Sequence, residues 1–478
     1  MTRKSYLQGI LPTLLLLMSV SAASAFDDPV SHPVGNAPTG VTIGDVDGDG
    51  LADVAAATGG NVTLLLNDGS GLGPGQEIPH GGGGGARSVA IEDVDGDGDR
   101  DLVVLVSEGN NVLVVLRNNG DGTFAAPEPH GAPDLSFALR MADVDRDGDP
   151  DALVVEGLLG ASVRLLRNDG GGSFEFAGSY PLALPVIGIV YVADMDVADL
   201  NGDGYPDVAG CSDNSLIVDV LLNDGEGGLL PATPVDLGQQ APTAVRARDV
   251  NRDGRPDLLV VSCGANELRV GLNDGAGGFV LSHVVPLTGA CHSITHPTGL
   301  ASGYLDGDTA IDVVYASRST DSVRLLRGLG DGTFEAFETL PSDPDPMVVA
   351  AGDVNGDGSH DVVNGTWIFS APDSVVVTTN DICAPLLDQT VTADASRSDY
   401  FWATSLPYLA VRGTFVTAED VSAFAVDRQF SANSNVLHDA ELPLAGSGFW
   451  YLVRPDCVGA SWTAAGPAEL PGRDSALP

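Results

Sequence analysis

Short apolar runs rich in Val, Leu and Ile recur along most of this chain, each bracketed by Gly, Asn and Asp. The stretch 88–124 shows the unit most clearly. Residues 88–92 (Ser-Val-Ala-Ile-Glu) read as a strand. Residues 102–106 form an unbroken apolar run of strand length, and 112–116 form another, rich in Val. The turn Asn118-Asn119-Gly120-Asp121-Gly122 follows, and Thr123-Phe124 opens a fourth extended segment. Four short β elements in succession, separated by tight turns, predict an antiparallel meander. The turn returns as Asn67-Asp68-Gly69, Asn168-Asp169-Gly170, Asn223-Asp224-Gly225 and Asn273-Asp274-Gly275, and in altered form as Gly330-Asp331-Gly332. Gly supplies the positive φ of a tight hairpin, and Asn or Asp tolerates it.

Between the first two strands of each unit lies an acidic nonapeptide, Asp-x-Asp/Asn-x-Asp-Gly-x-x-Asp. Its seven copies start at Asp45, Asp93, Asp143, Asp199, Asp249, Tyr304 and Asp353, about fifty residues apart. Alternating carboxylates in a tight loop turn toward one centre, which suits a hard cation that takes six to eight oxygens at about 2.3–2.6 Å. The side-chain ligands expected for calcium are those at positions one, three, five and nine. They are Asp45, Asp47, Asp49 and Asp53; Asp93, Asp95, Asp97 and Asp101; and Asp143, Asp145, Asp147 and Asp151. The later loops give Asp199, Asn201, Asp203 and Asp207; Asp249, Asn251, Asp253 and Asp257; and Asp353, Asn355, Asp357 and Asp361. Loop six keeps Asp306, Asp308 and Asp312 but has Tyr304 for the first carboxylate and Thr309 for the glycine. Six calcium ions are expected, with loop six weak or empty. An EF-hand would need Glu at position twelve and a following helix. Here an apolar strand follows, so that reading fails.

Seven small meanders at this period predict an all-β fold, a seven-bladed β-propeller of four-stranded blades over residues 26–382. A ring needs its ends joined. Unit seven lacks a fourth strand, and Phe26-Asp-Asp-Pro-Val-Ser-His32 resembles Phe124-Ala-Ala-Pro-Glu-Pro-His130. Residues 26 to about 35 are therefore expected to complete blade seven.

Charge changes the picture of partners. With 22 basic and 66 acidic residues the net charge is −44, a field that repels nucleic acid and anionic membranes. Much of the acidity is loop ligand. Residues 1–25 read as a cleaved signal peptide: Arg3 and Lys4, an apolar run over 10–20, then Ala23-Ser24-Ala25. No stretch is long enough for a membrane-spanning helix, so a secreted protein is expected. Export permits disulfides, and the odd count of five cysteines leaves at least one thiol unpaired within the chain. Cys291-His292 with His296 reads as ordinary loop rather than a zinc site, for want of a fourth ligand.

The loop Asp-Val-Asp-Gly-Asp-Gly, an apolar strand, and then Asn-x-Gly-Asp-Gly-Thr-Phe together resemble the FG-GAP/VCBS repeats of integrin α-subunit N-terminal propellers. That resemblance implies one calcium ion per intact loop and leaves function open. The C-terminal region lacks the loop and holds Trp402, Trp450 and Trp462. Its Leu-Ala-Val-Arg-Gly and Gly-Phe-Trp-Tyr-Leu-Val-Arg segments are similar to fibronectin-III-like modules of exported bacterial proteins. This implies a small β-sandwich over 388–465, before a tail at 466–478.

The function expected is a secreted calcium-binding module for adhesion, ligand binding or scaffolding, with a protein or glycan partner. Trp367 is the sole Trp of the ring region, which leans toward a protein. The rival is a calcium-dependent polysaccharide lyase or hydrolase. Gly-x-Ser-x-Gly, His-Glu-x-x-His and a phosphate loop are all missing from the sequence, so no catalytic residue is assigned. Asp194 and Asp196 are the conspicuous unassigned carboxylates and read as a solvated loop pair.

Overall fold

The computed structural model describes residues 26–380 except 108–111, 132–135, 158–160, 183–192, 214, 288–298 and 368–372, together with the backbone of six strands between 392 and 455. The chain divides into two compact units, one spanning Ser24–Leu387 and the other holding the C-terminal strands.

The first unit is a seven-bladed β-propeller. Seven four-stranded antiparallel sheets follow one another, and in six of them the strand order is the chain order. Blade 2 is typical, with strands Gly85–Glu92, Asp101–Ser107, Val112–Leu116 and Glu128–Gly131. The acidic nonapeptide joins its first and second strands, and the Asn-Gly turn joins its third and fourth. Consecutive strands run up and down, so both connections lie at the same end of the blade.

Alternation along the second strand builds the core. Leu102, Val104 and Val106 face blade 1, while Val103 and Leu105 face blade 3. In blade 5, Leu258 and Val260 face blade 4, and Leu259 and Val261 face blade 6. Seven apolar clusters result, each shared by one pair of adjacent blades, including blades 7 and 1. An apolar strand that serves two interfaces reads as an unbroken hydrophobic run, as these do.

The ring closes as the sequence implies. Val30–Pro33 forms the outer strand of blade 7, pairing antiparallel with Ser374–Thr378 in the register Val30↔Val377 to Pro33↔Ser374. Phe26 bridges Asn380 as Phe124 bridges Asn118. Asp27 N–H donates to Thr379 O at 2.9 Å, matching Ala125 N–H to Arg117 O at 2.8 Å.

In the second unit, Tyr408–Phe415 pairs with both Ala425–Ala432 and Gly448–Pro455, in one three-stranded sheet. Thr392–Ala393, Asp399–Phe401 and Val436–His438 form another. The two strands anticipated there are thus direct partners. The packing expected of a fibronectin-III-like sandwich lies outside the described residues, as do the signal segment and the tail.

Candidate metal centre

The nonapeptide closes on itself through its own carboxylates. In blade 1, Asp45 accepts from the N–H of Gly48 (2.8 Å) and Gly50 (3.0 Å). Asp47 accepts from Asp49 N–H, and Asp49 from Leu51 N–H. Gly48 and Gly50 hold φ of 75° and 90°, a conformation that costs a glycine least.

Position nine is the structural centre. Asp53, Asp101, Asp151, Asp207, Asp257, Asp312 and Asp361 are all fully buried. Each accepts on Oδ2 from the N–H of loop position two and on Oδ1 from the first residue of the third-to-fourth-strand turn, or in blade 7 from Asn380, which follows the third strand. In blade 4 these are Leu200 (2.8 Å) and Asn223 (2.7 Å). The carboxylate therefore ties the two connections of its blade together.

In the first three loops the structure gathers positions one, three and nine. Asp45, Asp47 and Asp53 offer oxygens within 4.8 Å of one another, and so do Asp93, Asp95 and Asp101, and Asp143, Asp145 and Asp151. Asp49, Asp97 and Asp147 fall outside these groups. In loops four, five and seven, Asn201, Asn251 and Asn355 donate to the position-five carboxylates Asp203, Asp253 and Asp357 at 2.8, 3.1 and 3.3 Å. Loop six is held otherwise: Tyr304 is exposed, and Asp306 lies 3.5 Å from Arg327. Arg117 and Arg167 likewise reach Asp95 and Asp145 in blades 2 and 3.

The donor set fits a hard divalent cation: it is all oxygen and mostly anionic. Burial foremost, opposed by the backbone donors and aided by neighbouring carboxylates, raises Asp101, Asp151, Asp207 and Asp257 to about 6. Asp312 and Asp361 reach about 7. Asp145 Oδ1 is buried with no hydrogen-bond partner. Buried carboxylates pushed toward protonation are short of positive charge, which a bound cation would supply.

The turn asparagine does more than its sequence suggests. Asn223 Nδ2 donates to Val144 O of blade 3 at 2.9 Å, Asn273 to Leu200 O of blade 4 at 2.8 Å, and Asn380 to Leu305 O of blade 6 at 2.8 Å. Asn67, Asn118 and Asn168 make the same bond to Val354 O, Val46 O and Val94 O. Blade 6 has Gly328 there, and Gly332 N–H donates to Val250 O at 3.1 Å instead. Every blade is thus clamped to the one before it, around the whole ring. The signal in the sequence was the persistence of Asn where Asp or Gly would also have made the turn.

Asp194 and Asp196 are not a solvated loop pair. They lie on Ala193–Ala198, the inner strand of blade 4. Asp194 accepts from Arg140 of blade 3 (3.0 Å) and Arg246 of blade 5 (2.6 Å), and Asp196 accepts from Arg248 (2.8 Å). They also take the N–H groups of Val245 and Ala247, on the unpaired edge of blade 5's inner strand. Arg140, Arg246 and Arg248 donate to the carbonyls of Leu139, Val245 and Ala247. The cluster satisfies inner strand edges that no fifth strand covers. Burial would raise the Asp196 carboxyl, but Arg248, Arg246 and Arg140 together hold it below its ordinary range.

Cys211 is a buried free thiol, while Cys263 is disulfide-bonded. The Cys291–His296 segment lies outside the described residues.

The FG-GAP-like repeat model matches residues 45–104, 93–154, 199–260 and 304–363, each segment starting at loop position one. The chain carries FG-GAP-like repeats. No curated protein matches it. Among solved structures it resembles an Agrocybe aegerita lectin that recognises non-reducing terminal N-acetylglucosamine, at 21% identity over 67% of this chain and 81% of that one (TM-score 0.47). It also resembles virginiamycin B lyase from Staphylococcus aureus, at 12% identity over 74% and 99% (TM-score 0.49). A streptogramin B lyase is similar at 13% identity over 76% and 99% (TM-score 0.48). These likenesses do not decide between binding and catalysis.

Proposed function

We propose that this FG-GAP-like ring is a secreted, calcium-binding module that engages a protein or glycan on an extracellular surface. Calcium in the acidic loops stiffens the face that carries them. The observation that supports it most is the convergence of three carboxylates within 4.8 Å in each of the first three loops. Calcium there would be held by positions one, three and nine, with position five adding oxygen, and in loops four, five and seven asparagine would stand at position three. The disulfide at Cys263 accords with an oxidising, exported setting. The alternative is a calcium-dependent polysaccharide lyase or hydrolase; Asp194 and Asp196, the carboxylates the loops leave unassigned, are engaged by arginines.

The test is calorimetric titration of the chelator-treated mature protein with calcium, alongside retention on immobilised polysaccharides and cell surfaces. About six sites, raised thermal stability and retention without product release support the reading. No calcium uptake removes the metal, and released oligosaccharide favours the lyase or hydrolase.

A further inference from the structure

Loop six departs from its siblings in more than its metal ligands. Where the others begin with Asp, Tyr304 stands 46% exposed, its ring edge-to-face with His360 at 5.8 Å. Beside it opens a cleft of about 430 Å³ between loops five and six, lined among others by Arg248, Arg252, Asp249, Tyr304 and Thr309. A carboxylate has been exchanged here for an aromatic face, in a cleft that already holds two guanidinium groups.

Arg252 is built into this position at some conformational cost. It occupies loop position four with φ of 63°, a left-handed position that Arg146 shares at 61° and that Gly48, Gly96, Gly202, Gly307 and Gly356 fill in the other loops. Its guanidinium lies against Gly330 of blade 6, where an added Cβ would come within 2.6 Å of Arg252 Cζ. Among the described residues its ion-pair partner is Asp308 at 3.7 Å, too long for a hydrogen bond, and its side chain is 44% exposed. Asp249 turns its oxygens into its own loop, accepting from Asp253 and Gly254 N–H at 3.1 and 2.8 Å. Arg248 is already held by Asp196 at 2.8 Å, so the cation with a loose partner in the cleft is Arg252.

We propose that the cleft between blades 5 and 6 binds a carboxylate-bearing sugar, a uronate residue of an acidic glycan. Arg252 takes the carboxylate as a planar fork takes a planar anion. Tyr304 offers its ring to the apolar face of the pyranose, and Thr309 lies within the same wall for a hydroxyl. This rests on the reading of the ring as a binding module and names its ligand class.

The experiment compares β-1,4-tetraglucuronate with cellotetraose, which differ only in their C6 carboxylates, by calorimetric titration of the calcium-loaded mature protein. R252G restores the residue of five sibling loops and removes backbone strain, so its melting temperature should hold or rise. Its affinity for tetraglucuronate should fall by about tenfold or more, the loss of one charge-assisted contact. Y304D should lose binding too, and cellotetraose should bind neither variant nor the wild type. Wild-type binding that R252G and Y304D leave intact overturns the cleft assignment while the binding-module reading stands. Equal binding of both tetrasaccharides overturns the carboxylate. Variant-sensitive binding of poly-glutamate in place of tetraglucuronate overturns the sugar in favour of an acidic polypeptide. A wild type that binds neither tetraglucuronate nor poly-glutamate overturns the cleft assignment, and the module reading is then decided by retention on polysaccharides and cell surfaces.

Discussion

Replacing Asn223 by Ala removes one clamp between blades 3 and 4 and leaves every proposed metal ligand in place. Three side-chain hydrogen bonds are lost: to Val144 O at 2.9 Å, to Pro206 O at 3.2 Å, and from Gly225 N–H at 2.9 Å. Asn223 is 4% exposed, so water does not readily replace them. At about 1 kcal/mol each, the cost is about 3 kcal/mol, and more if the Val144 carbonyl stays buried without a donor. N223D keeps the acceptor for Gly225 but sets oxygen against two carbonyls, and should be at least as damaging. The assay is urea unfolding followed by circular dichroism, in saturating calcium and again in chelator. The loss should be the same in both, because the asparagine acts between blades and not on the ion. Hydrogen exchange should accelerate along Ser136–Ala142 and Ala193–Ala198, where the two blades meet. A loss below about 0.5 kcal/mol, the range of an ordinary surface change, would refute the clamp.

Three further outcomes are expected. D47A removes a loop-one carboxylate that no arginine engages, and should lower calcium stoichiometry by one while leaving stability in chelator nearly unchanged, as read by titration and melting. The position-nine carboxyls of loops two to seven have folded values near 6 to 7 against 3.8 for the free group. Their raised values favour the metal-free fold below about pH 4, and that stability is lost as pH rises through 6 to 7. Calcium binding, which needs them ionised, should weaken over the same window as pH falls, with proton release on binding visible as a buffer-dependent heat. Deleting residues 26–34 should strip the outer strand from blade 7, expose its third strand to protease, and be reversed by adding that peptide in trans.

Blade number, loop placement and closure were legible because each is written locally. A loop's spacing fixes its turn, and an apolar run of strand length fixes its strand. The closing strand was readable because Phe26 to His32 repeats the outer-strand text of blade 2. The asparagine clamp was hidden because the same residue already explains the turn, and its acceptor lies 79 residues away at Val144. Asp194 and Asp196 were misjudged for a related reason. Charged residues after a long linker read as loop, and only the neighbouring blades bring Arg140, Arg246 and Arg248 to an inner strand. The cleft of Arg252 and Tyr304 is divided between two repeats, so neither repeat announces it.

Each repeat carries both halves of its joint: a donor that reaches backward, an asparagine in every blade but the sixth, and a carbonyl that receives the donor of the repeat ahead. The joint has a head and a tail, so repeats add in one direction, as links do. A whole repeat duplicated or excised brings or removes one complete pair and leaves its neighbours compatible. The wheel's size is then set by the angle at which blades pack, not by the linkage. The single strand borrowed from the N-terminus is the place where the chain's two ends must agree on the count.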